Sequence, residues 1–210
     1  MTKIKICGMT NAADARRAAA LGADFIGLNF YKKSPRYVTP KEAKSIVESV
    51  VGALHGKKPA AGIVGVFVNE KLGTIKKISE SCGLGLIQLS GDEDSAFVAD
   101  VKKATGKKTI KAVRVQGSVG ATKFDYGSDY LLLDSFRKGM YGGTGTPFTW
   151  KLPRTIDRST LFLAGGLNGR NVAGAIAKLH PFAVDVCSGV ESAPGRKDAG
   201  KMKRFIEVAQ

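Results

Sequence analysis

The sequence predicts a single (β/α)8 barrel over residues 1–210, and three observations carry that prediction. Apolar, β-branched runs alternate with amphipathic helical stretches from end to end. The chain holds eight such runs, enough for a closed barrel at the compact end of its size range. After the first run comes Cys7-Gly8-Met9-Thr10, where a doubly wound dinucleotide-binding sheet carries a glycine fingerprint.

Taken in order, the expected strands are Lys3–Cys7, Asp24–Phe30, Gly62–Val68, Gly85–Leu89, Lys108–Val115, Asp129–Asp134, Thr160–Ala164 and Phe182–Cys187. Helical patterns fill Ala12–Leu21, Pro40–Val51, Glu70–Ser81, Glu93–Ala104, Asn171–Leu179 and Ala199–Val208, while the fifth and sixth connections show the weakest pattern. Thr39-Pro40 supplies an N-cap and a proline at the first helical position, and Gly22 and Gly83 stand where helices end. No repeat or linker interrupts the series.

With 43% hydrophobic and 24% charged residues, 210 residues can bury one substantial core. No run approaches the roughly 18 apolar residues of a membrane span, and the N-terminal segment lacks the apolar stretch of a signal peptide. A soluble, cytoplasmic protein without membrane contact is therefore expected. Cys7, Cys82 and Cys187 show no CxxC spacing, and His55 and His180 are the only histidines, so neither disulfides nor a metal site is predicted. The formal net charge of +15 comes from dispersed residues, with pairs such as Lys32-Lys33 as the densest groups. There is no basic arm or aromatic-interleaved stripe, so no nucleic-acid partner is expected; the excess charge suits anionic small molecules.

The first strand is unusual. Side chains alternate across a strand, so Lys3, Lys5 and Cys7 share one face and Ile4 and Ile6 the other. If the isoleucines meet helices, the lysines and the thiol point into the barrel. Free cysteine often serves as a small apolar filler. At the carboxyl end of a strand among cations it can also act as base, nucleophile or ligand.

Barrel active sites lie at the carboxyl ends of the strands, which here carry Cys7, Asn29, Ser90, Arg114, Asp134, Gly165-Gly166 and Ser188-Gly189. Asp134 ends the apolar run Tyr130–Leu133, where desolvation raises a carboxyl pKa and suits it to donating a proton; such an aspartate can also be a helix cap. Glycine-rich turns at Tyr141–Gly145, Ala164–Asn168 and Cys187–Val190 let backbone N–H groups approach an anion, and turns after strands seven and eight hold phosphate in many barrels. The expected partner is thus a phosphorylated small molecule. In the loop Tyr31–Tyr37, Arg36 beside Pro35 suits bidentate carboxylate recognition, or is a solvated loop charge.

Together the segments KICGMT, FYKKSPRYV, VGVFVNE, LLLDS, YGGTG, LAGGLN, DVCSGVE and PGRKD resemble the phosphoribosylanthranilate isomerase family of tryptophan biosynthesis, in order through nearly the whole chain. The resemblance implies a (β/α)8 barrel without cofactor. It also implies an Amadori rearrangement of N-(5-phosphoribosyl)anthranilate to 1-(2-carboxyphenylamino)-1-deoxyribulose 5-phosphate. Position by position it makes Cys7 the general base and Asp134 the general acid. Arg36 becomes the contact to the anthranilate carboxylate, and Gly143, Gly145, Gly165, Gly166, Ser188 and Gly189 the phosphate-binding region. Asp185 joins the substrate-contacting set; it alternates with Cys187 on strand eight, which closes beside strand one, so it is expected to pair with Lys5 and limit that lysine's lowering of the Cys7 pKa.

The chain departs from the family where QLHG becomes Gln88-Leu89-Ser90-Gly91, where Gly169 replaces a proline after LAGGLN, and where Cys187 replaces a serine. Ser90 can offer a hydrogen bond but no positive charge. Two rivals are a dual-substrate isomerase that also serves histidine biosynthesis, which would place an aspartate at Cys7, and a catalytically silent phosphate-binding barrel. The sequence fits either a monomer or a homodimer.

Overall fold

The computed structural model describes residues 1–53, 62–115, 124–135 and 156–210. Eight parallel strands close into one barrel in sequence order: β1 Lys3–Ile6, β2 Phe25–Asn29, β3 Gly62–Phe67, β4 Leu86–Leu89, β5 Lys108–Val115, β6 Tyr130–Ser135, β7 Leu161–Ala164 and β8 Ala183–Val186. The described helices are α1 Ala12–Ala20, α2 Pro40–Ala53, α3 Leu72–Ser81, α4 Ser95–Thr105, α5 Val172–Leu179 and α6 Ala199–Ala209. Closure runs through β1 and β8, which pair in register from Lys3 with Ala183 to Ile6 with Val186. Among the described residues no helix is long and apolar enough to cross a membrane.

Three apolar clusters of described residues hold the fold, one of them Val115, Leu131, Leu133, Ile156 and Leu161 around β5 to β7. Outside the sheet, Ile4, Ile6, Val184 and Val186 join Met202, Phe205 and Ile206 in a core between strands and helices. Inside, Val64, Ile110, Leu132 and Phe162 pack with the rings of Phe25, Tyr130 and Phe182. The Phe162 ring centroid lies 5.4 Å from both Phe25 and Tyr130, tilted or edge-on geometries worth about 0.5–1.5 kcal/mol each beyond burial. The apolar plug fills the middle of the barrel, with Lys108 Nζ over the Tyr130 ring at the amino end of β5 and the polar cleft at the carboxyl ends of the strands.

Local chemistry sets the helix starts. Thr39 and Glu42 form a reciprocal capping box: the Thr39 N–H donates to Glu42 Oε2 at 2.7 Å and the Glu42 N–H to Thr39 Oγ1 at 3.3 Å. Asp198 caps α6 by accepting the Lys201 N–H at 2.8 Å. Helix α4 begins at Ser95, later than the pattern suggests, because Asp94 caps it and Glu93 is drawn into a buried pair with Lys111 of β5 at 2.7 Å.

One element was absent from the expected order. After β8 a short 3-10 turn, Ser188–Val190, leads into an antiparallel hairpin of β9 Glu191–Ala193 and β10 Arg196–Lys197. Its turn is Pro194-Gly195, with Gly195 at φ +79°, where a Cβ would stand 3.2 Å from Thr10 Cγ2 and 3.3 Å from the Pro35 carbonyl oxygen. The hairpin tip therefore sits against the β1–α1 turn and the loop that carries Arg36.

Candidate active site

A cleft of about 250 Å³ opens at the carboxyl ends of the strands. It gathers Cys7 from the end of β1, Gln88 and Ser90 at β4, Arg114 from β5, Asp134 from β6, Ala164–Leu167 after β7 and Asp185–Gly189 at β8. Strand parity places them there: Ile4 and Ile6 face the outer core, so Lys5 and Cys7 face inward.

Cys7 is half-buried and anchored by its N–H, which donates to the Val186 carbonyl at 2.8 Å. A Cβ at Gly27 would lie 2.8 Å from Cys7 Sγ, so glycine on β2 makes room for the sulfur. Lys5, fully buried, donates to both carboxylate oxygens of Asp185 at 3.0 Å, the pairing expected from the sequence. Burial opposes its charge, but Asp185 and then Cys7 outweigh that and hold Lys5 above the ordinary lysine range.

The thiol itself corrects an expectation. The basic setting predicts a lowered Cys7 pKa, yet burial pushes the thiol up, Lys5 pulls it down, Asp185 pushes it up again, and the balance is above the ordinary cysteine value. Lys5 acts with the expected sign and loses to desolvation. Asp134 is raised as expected, first by burial and then by Asp185, against the opposing pull of Arg114, its register neighbour on β5. Cys187 is pushed up to about 12, chiefly by burial, and so holds its proton.

At the phosphate end, Gly165 and Gly166 have φ of +93° and +65°, values that favour glycine. Asn168 and Asn171 brace this turn: the Asn171 side chain accepts the Asn168 N–H at 2.8 Å and donates to the Gly166 carbonyl at 3.0 Å. A side chain at Gly189 would strike the Leu167 carbonyl, so the β7 and β8 turns meet closely. Gly143 and Gly145 lie outside the described residues.

Arg36 is placed beside the cleft, its Cδ 2.7 Å from where a Gly8 Cβ would stand, with Gly8 at φ +73°. It is not a solitary loop charge: Nε donates to Glu191 Oε1 at 2.8 Å and Nη2 to Glu191 Oε2 at 2.6 Å. Asn29, one of the strand-end polar residues, is spent on this loop, accepting the Tyr31 N–H at 2.9 Å and donating to Ser34 Oγ at 3.2 Å. Ser90 accepts from Gln88 Nε2 at 3.1 Å, while Gln88 Oε1, shielded from solvent, has no partner among the described residues.

Sequence reasoning overlooked Glu191, Lys197 and Gly27. Glu191 and Lys197 are register partners across the hairpin and form an ion pair at 2.9 Å. The turn dipeptide Pro194-Gly195 between them was the available signal.

A family model described as N-(5'phosphoribosyl)anthranilate (PRA) isomerase matches residues 4–208. A relative from Pelobacter propionicus, named N-(5'-phosphoribosyl)anthranilate isomerase, is 42% identical over 212 residues, covering 100% of this chain and 96% of that protein. The phosphoribosyl anthranilate isomerase structure from Thermotoga maritima superposes with a TM-score of 0.80 at 35% identity, covering 100% of this chain and 98% of its own. A further isomerase structure, in complex with reduced 1-(o-carboxyphenylamino)-1-deoxyribulose 5-phosphate, gives 0.75 at 33% identity, covering 100% and 98%.

Proposed function

Because the chain belongs to the N-(5'-phosphoribosyl)anthranilate isomerase family, we propose that it carries out that isomerisation in tryptophan biosynthesis with Cys7 as general base and Asp134 as general acid. The observation that carries this reading is the single cleft that holds both groups, beside the glycine turns after β7 and β8. The substrate is an N-glycosylamine bearing a phosphate and an aromatic carboxylate. Its phosphate sits against the backbone of Gly165, Gly166, Ser188 and Gly189, with Gly143 and Gly145 assigned by motif alone. Its carboxylate meets Arg36, and Asp185 keeps Lys5 charged beneath the reacting carbons.

Asp134 gives its proton to the furanose ring oxygen. The C1–O bond breaks and the nitrogen lone pair forms a Schiff base. Cys7 takes the C2 proton, the electron pair moves between C1 and C2, and the resulting enolamine tautomerises to the ketone.

The raised thiol fits this scheme through proton bookkeeping. The working form carries a proton on Asp134 and none on Cys7, the same total as the form with the proton on Cys7 alone. The two are tautomers, so their ratio is independent of pH, and activity follows a bell whose limbs are the macroscopic pKa values of the pair. Both groups are shifted upward, so the bell lies on the basic side of one built from unperturbed values.

The test follows loss of phosphoribosylanthranilate fluorescence in the wild type, Cys7→Ser and Asp134→Asn. The wild type should turn over and both variants should lose nearly all activity. An inactive wild type would overturn the function, and full activity in both variants would overturn the assignment of base and acid.

A further inference from the structure

The guanidinium of Arg36 is gripped side-on by Glu191, through Nε and one Nη2 proton. That geometry leaves both Nη1 protons and the second Nη2 proton. These form the end edge of the planar fork, which matches a second carboxylate. Glu191 is itself tightly held. Its Oε1 also accepts from Lys197 Nζ at 2.9 Å and from the Gly195 N–H at 3.3 Å, and its side chain is 5% exposed. Lys197, with a side chain 0% exposed, additionally donates to the Cys187 carbonyl at 3.2 Å. The hairpin that carries both residues is fastened at its tip to Thr10, whose hydroxyl donates to the Gly195 carbonyl at 2.5 Å.

Charge decides what this cluster does. Glu191 alone would neutralise Arg36. With Lys197 included, two cations share the Glu191 carboxylate; Lys201 Nζ, on the Glu191 carbonyl at 2.8 Å, and Asp14, whose Oδ2 accepts the Lys197 N–H at 3.0 Å, offset one another, so one positive charge is left over. Glu191 and Lys197 are buried while the Arg36 side chain is 21% exposed, so the surplus charge is presented at the open end of the cluster, where an anion can meet it.

We propose that Glu191 is a positioning residue for substrate recognition: it fixes Arg36 side-on so that its end edge receives the aromatic carboxylate, while Lys197 keeps the cluster one positive charge in excess. This rests on the reading that Arg36 contacts that carboxylate. A rigid β9–β10 hairpin thus does what a mobile arginine on an exposed loop could not, since the ordering cost of the fork is met during folding and not on binding.

The test compares two probes on the intact protein, a reduced carboxyphenylamino-deoxyribulose phosphate and its phenylamino counterpart lacking the carboxylate. Wild type should prefer the first, and Arg36→Ala should lose that preference. Glu191→Gln keeps the side-chain shape and should lower the preference about tenfold, raising KM for the natural substrate more than it lowers kcat, with binding of the uncarboxylated probe unchanged. Lys197→Met should lower the preference in the same direction. Retention of the full preference in Glu191→Gln, or equal weakening of both probes, overturns the positioning role and leaves the Arg36 reading intact. Retention of the preference in Arg36→Ala overturns the Arg36 reading itself.

Discussion

Two buried lysine–carboxylate pairs of nearly the same composition lie on opposite sides of the sheet, and they differ in what they leave open. Lys111 of β5 points outward and is closed on all sides. It donates to Glu93 Oε2 and the Gly91 carbonyl, each at 2.7 Å, and lies over the Tyr126 ring, while Glu93 also accepts the N–H groups of Asn69 and Gly91. Lys5 points inward, and its partner Asp185 lines the cleft, where it raises both Cys7 and Asp134. The first pair fixes two loops. The second sets proton affinities. Ion-pair chemistry alone does not distinguish them; the face of the strand does.

The comparison is broken most directly at the cleft. Cys7→Ser and Asp134→Asn should each lower kcat by on the order of 10²–10⁴ while circular dichroism and the unfolding midpoint show an intact barrel. A loss under tenfold in either would deny the inner face its chemistry. Lys111→Met should do the reverse: removing one partner strands Glu93 and costs about 3–5 kcal/mol in urea titration, with kcat per folded molecule within a few-fold of wild type.

Lys5→Met sharpens the contrast. Asp185 loses its cation, the Cys7 pKa rises because its strongest downward pull is gone, and the upper limb of the pH–rate bell moves to higher pH. If turnover and that limb both stay put, the inner pair is only a strut. Asp134→Asn carries a second expectation with opposite sign for stability. The folded state raises the Asp134 pKa, so the ionised carboxyl disfavours folding at neutral pH and its protonated form stops doing so below about pH 4. The variant should therefore unfold at a higher temperature than wild type at pH 7, and the difference should vanish near pH 3. The smallest effect belongs to Cys187→Ser. A thiol pushed up to about 12 stays neutral during assay, so kcat/KM should change less than about threefold.

Much of this was legible in the chain. The parity of Ile4 and Ile6 against Lys5 and Cys7 follows from the period of a strand, and it correctly turned the lysine and thiol inward. The N-cap at Thr39 could be read from Thr39-Pro40, and the structure adds Glu42 to make it a capping box. The β9–β10 hairpin was hidden because ESA and RK are short and polar, with no apolar alternation to mark a strand. The Arg36–Glu191 pair joins residues 155 positions apart, and no local pattern announces it.

The alternation of strand and helix, the eight strands of the barrel and the inward face of Lys5 and Cys7 were thus determined by the sequence, because periodicity and turn chemistry act over a few residues. The tertiary structure decided the sign of the Cys7 shift, the isolation of Lys111 from the cleft and the grip on Arg36. Desolvation and charge balance are sums over neighbours that only barrel closure brings together.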